Sequence, residues 1–102
     1  MKIRRIKKLK VNSTEFQVKW NKSHGGASFN YRDRKLEIGT NDDNAAYIFM
    51  LLCHELWEIV ACEMRVRLCR PDCDSDYIFV YDHRQHETMA EMFSALLSQF
   101  IV

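Results

Sequence analysis

The sequence lacks the features that mark disordered, exported or membrane-spanning chains. It contains one proline and no repeat, low-complexity tract or linker, and 47% of its 102 residues are hydrophobic. This composition predicts one ordered globular domain over residues 1–102. The longest uncharged apolar run, from Ala45 to Cys53, is far shorter than the ~20 residues that cross a bilayer. The basic N-terminus is followed by no apolar region and no small-residue cleavage site, so we expect neither a signal peptide nor membrane association.

Four cysteines occur in a chain for which no export signal is expected. In such a chain we expect reduced thiols in the cytoplasm, or metal ligands, rather than disulfides. Cys53 and Cys62 lie in an apolar segment, where thiols behave as small core residues. Cys69 and Cys73 lie in a polar segment that predicts a loop.

The net charge of +1 conceals two halves of opposite sign. Residues 1–35 contain eleven Lys or Arg against two acidic residues, a net charge of +9. Residues 36–102 contain four Arg against twelve acidic residues, a net charge of −8. We therefore expect a basic face beside an acidic one, with attraction between the two halves.

Alternation of apolar and polar residues predicts that the first forty residues form an antiparallel β-meander. The segment EFQVKW, residues 15–20, alternates with the period of two that is typical of a half-buried strand. The segment SFNYRDRKLEIG, residues 28–39, alternates on both sides of a polar turn at Asp33 and Arg34, as in a hairpin. The opening segment, residues 2–11, fits neither period cleanly, and we interpret it as a bulged strand before a turn.

Beyond residue 39 the pattern changes to that of helices. Thr40 to Asp43 offer N-cap side chains and predict a long central helix from about residue 42 to about Arg67, with Pro71 ending any continuation. A loop, RPDCDSD, and a short strand, YIFVY, are predicted next. A C-terminal helix then follows a cap near Asp82. The order ββββ-α-β-α is that of an α+β domain.

The segment LLCHELWEIVAC, residues 51–62, places three polar residues in an otherwise apolar helix. Buried charged groups are costly unless they are paired or bind a metal. His54 and Glu58 are four residues apart, so they project from one helix face and can both reach one Zn²⁺ at about 2.0–2.2 Å. Glu55 is rotated away from this pair and can act as a general base on water.

The segment HELWE resembles H-E-x-x-H, the active-site helix motif of the zincin metallopeptidases. The predicted order of elements also resembles the minimal zincin core, in which a strand meander precedes the active-site helix and a later helix carries a third ligand. The gluzincin-like and SprT-like peptidases are the nearest families, and the chain is also similar to small phage or prophage proteins. The motif covers residues 54–58, and the element order extends the resemblance over residues 27–101.

This resemblance implies a zinc-dependent peptidase acting on a peptide or protein substrate. Glu58 stands where the family has its second histidine, so the gluzincin ligand set is expected with its places exchanged. His54 and Glu58 then bind zinc from the first helix and His86 binds it from the second. His86 is favoured because it lies on the predicted apolar face of its helix, and His83 is the alternative.

The resemblance also implies how a substrate is handled. Glu55 corresponds to the general base of the zincin motif. The strand KLEIG, residues 35–39, which precedes the active-site helix, corresponds to the edge along which an extended peptide is bound by strand addition.

Two other interpretations of the polar residues stay open. In the first, Glu55 or Glu58 pairs with Arg65, Arg67 or a lysine of the basic sheet and only ties the helix to the sheet. In the second, a structural zinc site of the Cys₂His₂ type forms further along the chain, although its spacing is irregular and a predicted strand interrupts it. Its candidate ligands are Cys69, Cys73, His83 and His86.

The basic opening KIRRIKKLK, residues 2–10, predicts either of two roles. It can bind the phosphates of a nucleic acid. More often such a run is the solvated face of an edge strand, where lysines prevent association with other strands.

Overall fold

The chain forms four strands, a helix, a β-hairpin and a second helix, so the predicted α+β class is confirmed. The structure, a computed structural model, describes residues 2–71 and 73–102, without the side chains of residues 73–75. The elements are β1 (Lys8–Val11), β2 (Thr14–Asn21), β3 (Ala27–Asn30), β4 (Lys35–Gly39), α1 (Ala45–Glu63), β5 (Arg67–Arg70), β6 (Cys73–Phe79) and α2 (His83–Ser98). The radius of gyration of 13.8 Å is close to the about 13 Å of a compact domain of this length.

The first four strands form one sheet in the order β1-β2-β4-β3. The pairs β1–β2 and β3–β4 are antiparallel hairpins, as predicted, but β2 and β4 are parallel. The sheet is therefore not the purely antiparallel meander that alternation predicted. The parallel register places Val18 beside Leu36 and Trp20 beside Ile38, which keeps the apolar residues of both strands on one face. A period of two is the same in both pairing modes, so alternation alone does not distinguish them.

The hydrophobic core lies between one face of this sheet and the two helices. Its buried residues are Leu9, Val11, Phe16, Val18, Leu36 and Ile38 from the strands, and Ile48, Leu52, Leu56, Ile59, Val60, Ala61, Val66, Met89, Leu96 and Phe100 from the rest of the chain. Each large apolar side chain buried in this way contributes about 1.5–3 kcal/mol relative to leaving it exposed. Neither of the two helices in the described part of the chain packs on the opposite face of the sheet.

Helix α1 begins after Asn44, whose side chain accepts a hydrogen bond from the backbone N–H of Tyr47. It ends at Glu63, four residues before the predicted end at Arg67. The reason is Arg65, whose φ of 58° turns the backbone out of the helix, so that Val66 donates to the carbonyl of Ala61. Residues 67–70, which were predicted to close the helix and open a loop, instead form β5.

Strands β5 and β6 form an antiparallel hairpin that is separate from the main sheet. The predicted strand YIFVY, residues 77–81, overlaps β6 only in part, because β6 already begins at Cys73 and ends at Phe79. Residues 73–76 of the predicted loop RPDCDSD are therefore strand. The large apolar residues of the hairpin keep exposed side chains, because α1 contacts only one face of it and does so only in part; they are Leu68, Tyr77, Ile78, Phe79 and Val80.

Helix α2 begins as predicted at Asp82, whose side chain accepts from the backbone N–H of Gln85 while the Gln85 side chain accepts from the backbone of Asp82. Met89 and Leu96 are its buried residues. The prediction that His86 lies on a buried face is wrong, because α2 enters the core only from Met89 onward and His86 is exposed.

By length and composition α1 is apolar enough to cross a membrane, and it is the one such helix among residues 2–71 and 73–102. The core helix of a soluble protein passes the same test. In this fold Leu52, Leu56, Ile59 and Val60 of α1 are fully buried against the sheet and α2. This packing in a compact domain favours a soluble protein.

Candidate metal centre

Helix α1 presents the two predicted ligands on one face, one turn apart. The Nε2 atom of His54 lies 2.9 Å from Oε2 of Glu58. The His54 side chain is 63% exposed and that of Glu58 is 18% exposed, so the pair lies where the helix emerges from the core. The spacing of four residues predicted this arrangement, because side chains at i and i+4 lie above one another on a helix.

Glu55, the next residue after His54, is buried and only 6% exposed. Its carboxyl group forms no hydrogen bond and no salt bridge with any residue that the structure describes. Burial, and then the charge of Glu58, raise the pKa of Glu55, whereas His54 and Arg67 act in the opposite direction. Ionising this carboxyl group is therefore less favourable in the fold than in water.

The three residues together form a group that could hold a metal ion. One donor atom from each of His54, Glu55 and Glu58 lies within 4.8 Å of the other two. An imidazole nitrogen and carboxylate oxygens are ligands of Zn²⁺ and of other divalent transition metals. Among the residues that the structure describes, this is the one such group.

Arg67 on β5 contacts the same group from the hairpin. Its Nη1 atom donates to Oε1 of Glu58 at 3.2 Å, and its side chain is only 20% exposed. The guanidinium lies 4.0 Å from the ring centroid of Tyr77 and 5.2 Å from that of Phe29. Glu58 is thus paired with Arg67, one of the arginines expected as its partner, through a different carboxylate oxygen from the one facing His54. The metal measurements proposed below test whether this pairing is the sole role of Glu58.

A cavity of about 450 Å³ opens beside the group, between α1 and β6. Its lining consists of His54, Trp57, Glu58, Asp76, Tyr77 and Phe79. Trp57, Tyr77 and Phe79 were not predicted as site residues. The position of Trp57 inside HELWE could have indicated its role in the site. The roles of Tyr77 and Phe79 could not be predicted, because the predicted loop and strand boundaries did not place β6 next to the helix.

The structure does not bring His83 or His86 into the metal-binding group. The ring of His86 is stacked between Tyr81 at 6.0 Å and His83 at 6.4 Å, and Nδ1 of His83 lies 3.4 Å from Glu87. Helix α2 instead contacts this part of α1 through Phe93, which packs against Trp57. Phe93 lies about 10 Å further along the helix axis than His86. A third ligand from α2 stays a prediction.

The alternative cysteine site falls partly outside the described residues, because the side chain of Cys73 is not described. Cys69 is exposed on β5 and its thiol is free. Within residues 2–71 and 76–102 it joins no group of three ligand side chains. Cys53 and Cys62 are half-buried free thiols on α1, and burial raises the pKa of both.

The strand predicted to bind an extended peptide is in the wrong place for that role. Residues 35–39 form β4, which is paired on both sides, with β2 and with β3. The edges of the main sheet are β1 and β3. Strand addition at KLEIG is therefore excluded, since its backbone groups already form ladder hydrogen bonds.

The basic half of the sequence covers the outer face of the sheet. Cross-strand rows place Gln17 between Lys8 on one side and Lys35 on the other, and Lys19 beside Glu37. These lysines and Lys10 are exposed, and a depression of about 470 Å³ lies over β2, β3 and β4 on the same sheet. Comparison with protein-family models, with curated proteins and with solved structures found no match to this chain.

Proposed function

We propose that the protein is a zinc-dependent hydrolase that cleaves peptide bonds, with His54 and Glu58 as metal ligands and Glu55 as the general base. The observation that carries the proposal is the approach of three donor atoms, one each from His54, Glu55 and Glu58, to within 4.8 Å of one another. Glu55 is only 6% exposed as a residue, so ionising its carboxyl group is less favourable there than in water, and a bound cation offsets that cost.

The residues present fit a zinc ion. His54 Nε2 and Glu58 Oε2 would hold it from adjacent turns, and the exposed side of His54 leaves access from solvent. Zinc, when bound, supplies Lewis-acid polarisation of a carbonyl group and lowers the pKa of water. The resemblance of HELWE to the zincin motif supports the choice of zinc and of a peptide substrate.

Each residue of the group then has a separate task. Glu55 accepts a proton from the attacking water and returns it to the leaving amine. Arg67 holds Glu58 through the oxygen that does not face His54, which fixes the direction of the carboxylate. The third protein ligand is His86 or His83 in this proposal, which leaves Glu55 free to act as the general base.

The test starts with the metal content of protein purified without an affinity tag. We expect about one equivalent of zinc, lost in His54→Ala and kept in Cys69→Ser/Cys73→Ser. If zinc is lost in the cysteine variant and kept in His54→Ala, the zinc is bound by the alternative Cys₂His₂ site and not by His54 and Glu58. Loss in His86→Ala or in His83→Ala identifies the third ligand, and retention in both would show that neither histidine of α2 binds the metal.

Activity is tested with Glu55→Gln on a peptide library. We expect this variant to keep its zinc and to lose at least ~100-fold in cleavage rate, the low end for removal of a general base. The matched control is Glu91→Gln, because Glu91 is an exposed carboxyl group on α2. Undiminished cleavage by Glu55→Gln would refute the mechanism. Absence of cleavage by the zinc-loaded wild type would leave a metal-binding module without turnover.

A second candidate function is the binding of nucleic acid phosphates by the outer face of the sheet. The observation that favours it is the exposure of Lys8, Lys10, Lys19 and Lys35 on a face that carries no helix. Phosphate contacts of this kind are independent of sequence and weaken steeply with salt.

For the location of the protein, we propose the cytoplasm. The free thiols of Cys53, Cys62 and Cys69 support a reducing compartment.

A further inference from the structure

The cavity beside the metal-binding group has walls of two kinds. Helix α1 supplies His54, Trp57 and Glu58, and strand β6 supplies Asp76, Tyr77 and Phe79. Its volume of about 450 Å³ lies in the range of pockets that hold small ligands, about 300–1,000 Å³. The two candidate zinc ligands form one wall, so a molecule that reaches them from this side also touches the aromatic residues.

The aromatic side chains of the cavity are held in position by neighbours outside it. Trp57 packs edge-on against Phe93, with 5.4 Å between ring centroids. Tyr77 lies under the guanidinium of Arg67 at 4.0 Å. Because Arg67 is itself bonded to Glu58, the position of Tyr77 is linked to that of the metal-binding group. Rings that are already fixed lose little conformational entropy when a ligand binds.

The charges in the cavity wall are compensated within the protein. Glu58 is paired with Arg67 at 3.2 Å, and Asp76 lies 3.8 Å from Arg70. Each of the two carboxylates in the wall therefore has an arginine of the protein beside it. An uncharged aromatic group fits this lining better than a lysine or arginine side chain, because its binding requires no desolvation of a charge. Aromatic rings stack or meet edge-to-face with centroids 4.5–7 Å apart, and each such pair contributes about 0.5–1.5 kcal/mol.

We propose that this cavity binds an aromatic side chain of a peptide and presents the adjoining backbone to the face of His54 and Glu58. The cavity thereby sets the substrate class as peptides with a Phe, Tyr or Trp residue beside the bond that is cleaved. The peptide-cleavage part of this inference rests on the proposed function. The binding of an aromatic ring between Trp57, Tyr77 and Phe79 does not.

The alternation of side chains along β6 provides matched variants. Tyr77 and Phe79 line the cavity, whereas Ile78 and Val80 do not and project from the other face of the hairpin. All four side chains are 36–58% exposed, so replacement by serine changes apolar surface without emptying the core. Tyr77→Ser and Phe79→Ser test the cavity, and Ile78→Ser and Val80→Ser are the controls.

The experiment follows the indole N–H resonance of Trp57 during titration with N-acetylphenylalanine amide, N-acetylleucine amide and N-acetylalanine amide. Trp57→Phe identifies that resonance, since Trp20 is the other tryptophan. We expect saturable shifts with the phenylalanine amide and affinities at least ~10-fold weaker for the other two, which corresponds to about 1.4 kcal/mol of ring contacts. Tyr77→Ser and Phe79→Ser should each weaken binding of the phenylalanine amide several-fold, and the controls should leave it unchanged.

The titration is carried out on zinc-free and zinc-loaded protein, which separates this inference from the proposed function. Ring binding in zinc-free protein supports the inference even if the protein never binds zinc. Equal affinity for the leucine and phenylalanine amides, or equal losses in the cavity and control variants, would overturn the inference while leaving the zinc measurements intact. With an active enzyme, the same preference is expected in the cleavage of peptides that differ only at this residue.

Discussion

Arg67 donates to Oε1 of Glu58 at 3.2 Å, while Oε2 of the same carboxylate faces Nε2 of His54 at 2.9 Å. Arg67, on a strand outside the main sheet, thus contacts one oxygen of Glu58. His54, on the preceding turn of α1, contacts the other. A metal bound between His54 and Glu58 leaves the bond to Arg67 intact. The hairpin β5–β6 therefore orients a candidate ligand as well as lining the cavity.

Replacement of Arg67 by methionine should weaken metal binding. Hydrogen bonds that orient metal ligands typically contribute about 10–100-fold to affinity, so we expect a loss in that range for zinc. Competition with a chelating dye measures it, and circular dichroism checks that the fold is kept. Arg84→Met is the control, because Arg84 is an exposed arginine on α2. Tighter zinc binding in Arg67→Met would mean that the arginine competes with the metal.

Glu55→Gln should stabilise the zinc-free protein at neutral pH. Burial raises the pKa of Glu55, so its contribution is favourable below the unfolded pKa of about 4.3 and is lost as the pH rises through the folded pKa. The uncharged glutamine avoids that loss, and we expect a gain of about 1 kcal/mol in the free energy of unfolding. Urea unfolding at neutral pH and below pH ~4, where the difference should vanish, measures it. Destabilisation at neutral pH would show that the charged form has a partner.

Tyr31→Phe should destabilise the protein at neutral pH and lose this effect at high pH. The hydroxyl of Tyr31 donates to Oε2 of Glu63, whose other oxygen accepts from Asn12 at 2.6 Å. Burial and the bond to Glu63 raise the pKa of Tyr31 to about 12. The stabilisation is therefore complete below the unfolded pKa of about 10 and disappears as the pH rises towards 12.

The hydrogen bond between Tyr31 and Glu63 is partly exposed, so we expect Tyr31→Phe to lower the free energy of unfolding by about 1 kcal/mol at neutral pH. Denaturant midpoints of the wild type and Tyr31→Phe across this pH range are the measurement. Tyr81→Phe is the control, since Tyr81 is exposed and stacks on His86. A constant difference between wild type and Tyr31→Phe at all pH values would contradict the assignment.

Neutralising the outer face of the sheet should reduce binding to single-stranded DNA. Lys8→Gln/Lys35→Gln removes both charges of one cross-strand row, in which Gln17 lies between the two lysines. If both contact phosphates, the slope of log K against log salt falls by about 1.4. Lys2→Gln/Lys22→Gln gives the same net charge and is the control. Equal effects of the two double variants would assign the binding to net charge instead of this face.

The sequence predicted those parts of the molecule that depend on local periodicity. The hairpin β3–β4, the start of α2 at Asp82 and the shared face of His54 and Glu58 all follow from spacing within one element. The parallel pairing of β2 with β4 does not, because Val18 and Leu36 satisfy the same alternation in either direction. The hairpin β5–β6 was missed because Arg65 ends α1 through a left-handed backbone conformation that arginine rarely adopts. The aromatic cavity depends on that hairpin, so it could not be predicted either.

The contact between the two ends of the described chain has a consequence for the order in which the protein folds. Ile3 forms a β-bridge with Ile101, and Val102 donates to the carbonyl of Lys2. These partners are separated by almost the whole of the described chain, so joining them closes a longer loop than any strand pairing within the two sheets does. During synthesis the hairpins and α1 can form while the chain is still growing. Residues 2–6 can dock only after the residues that follow α2 have been made, so this contact forms later than the local elements do.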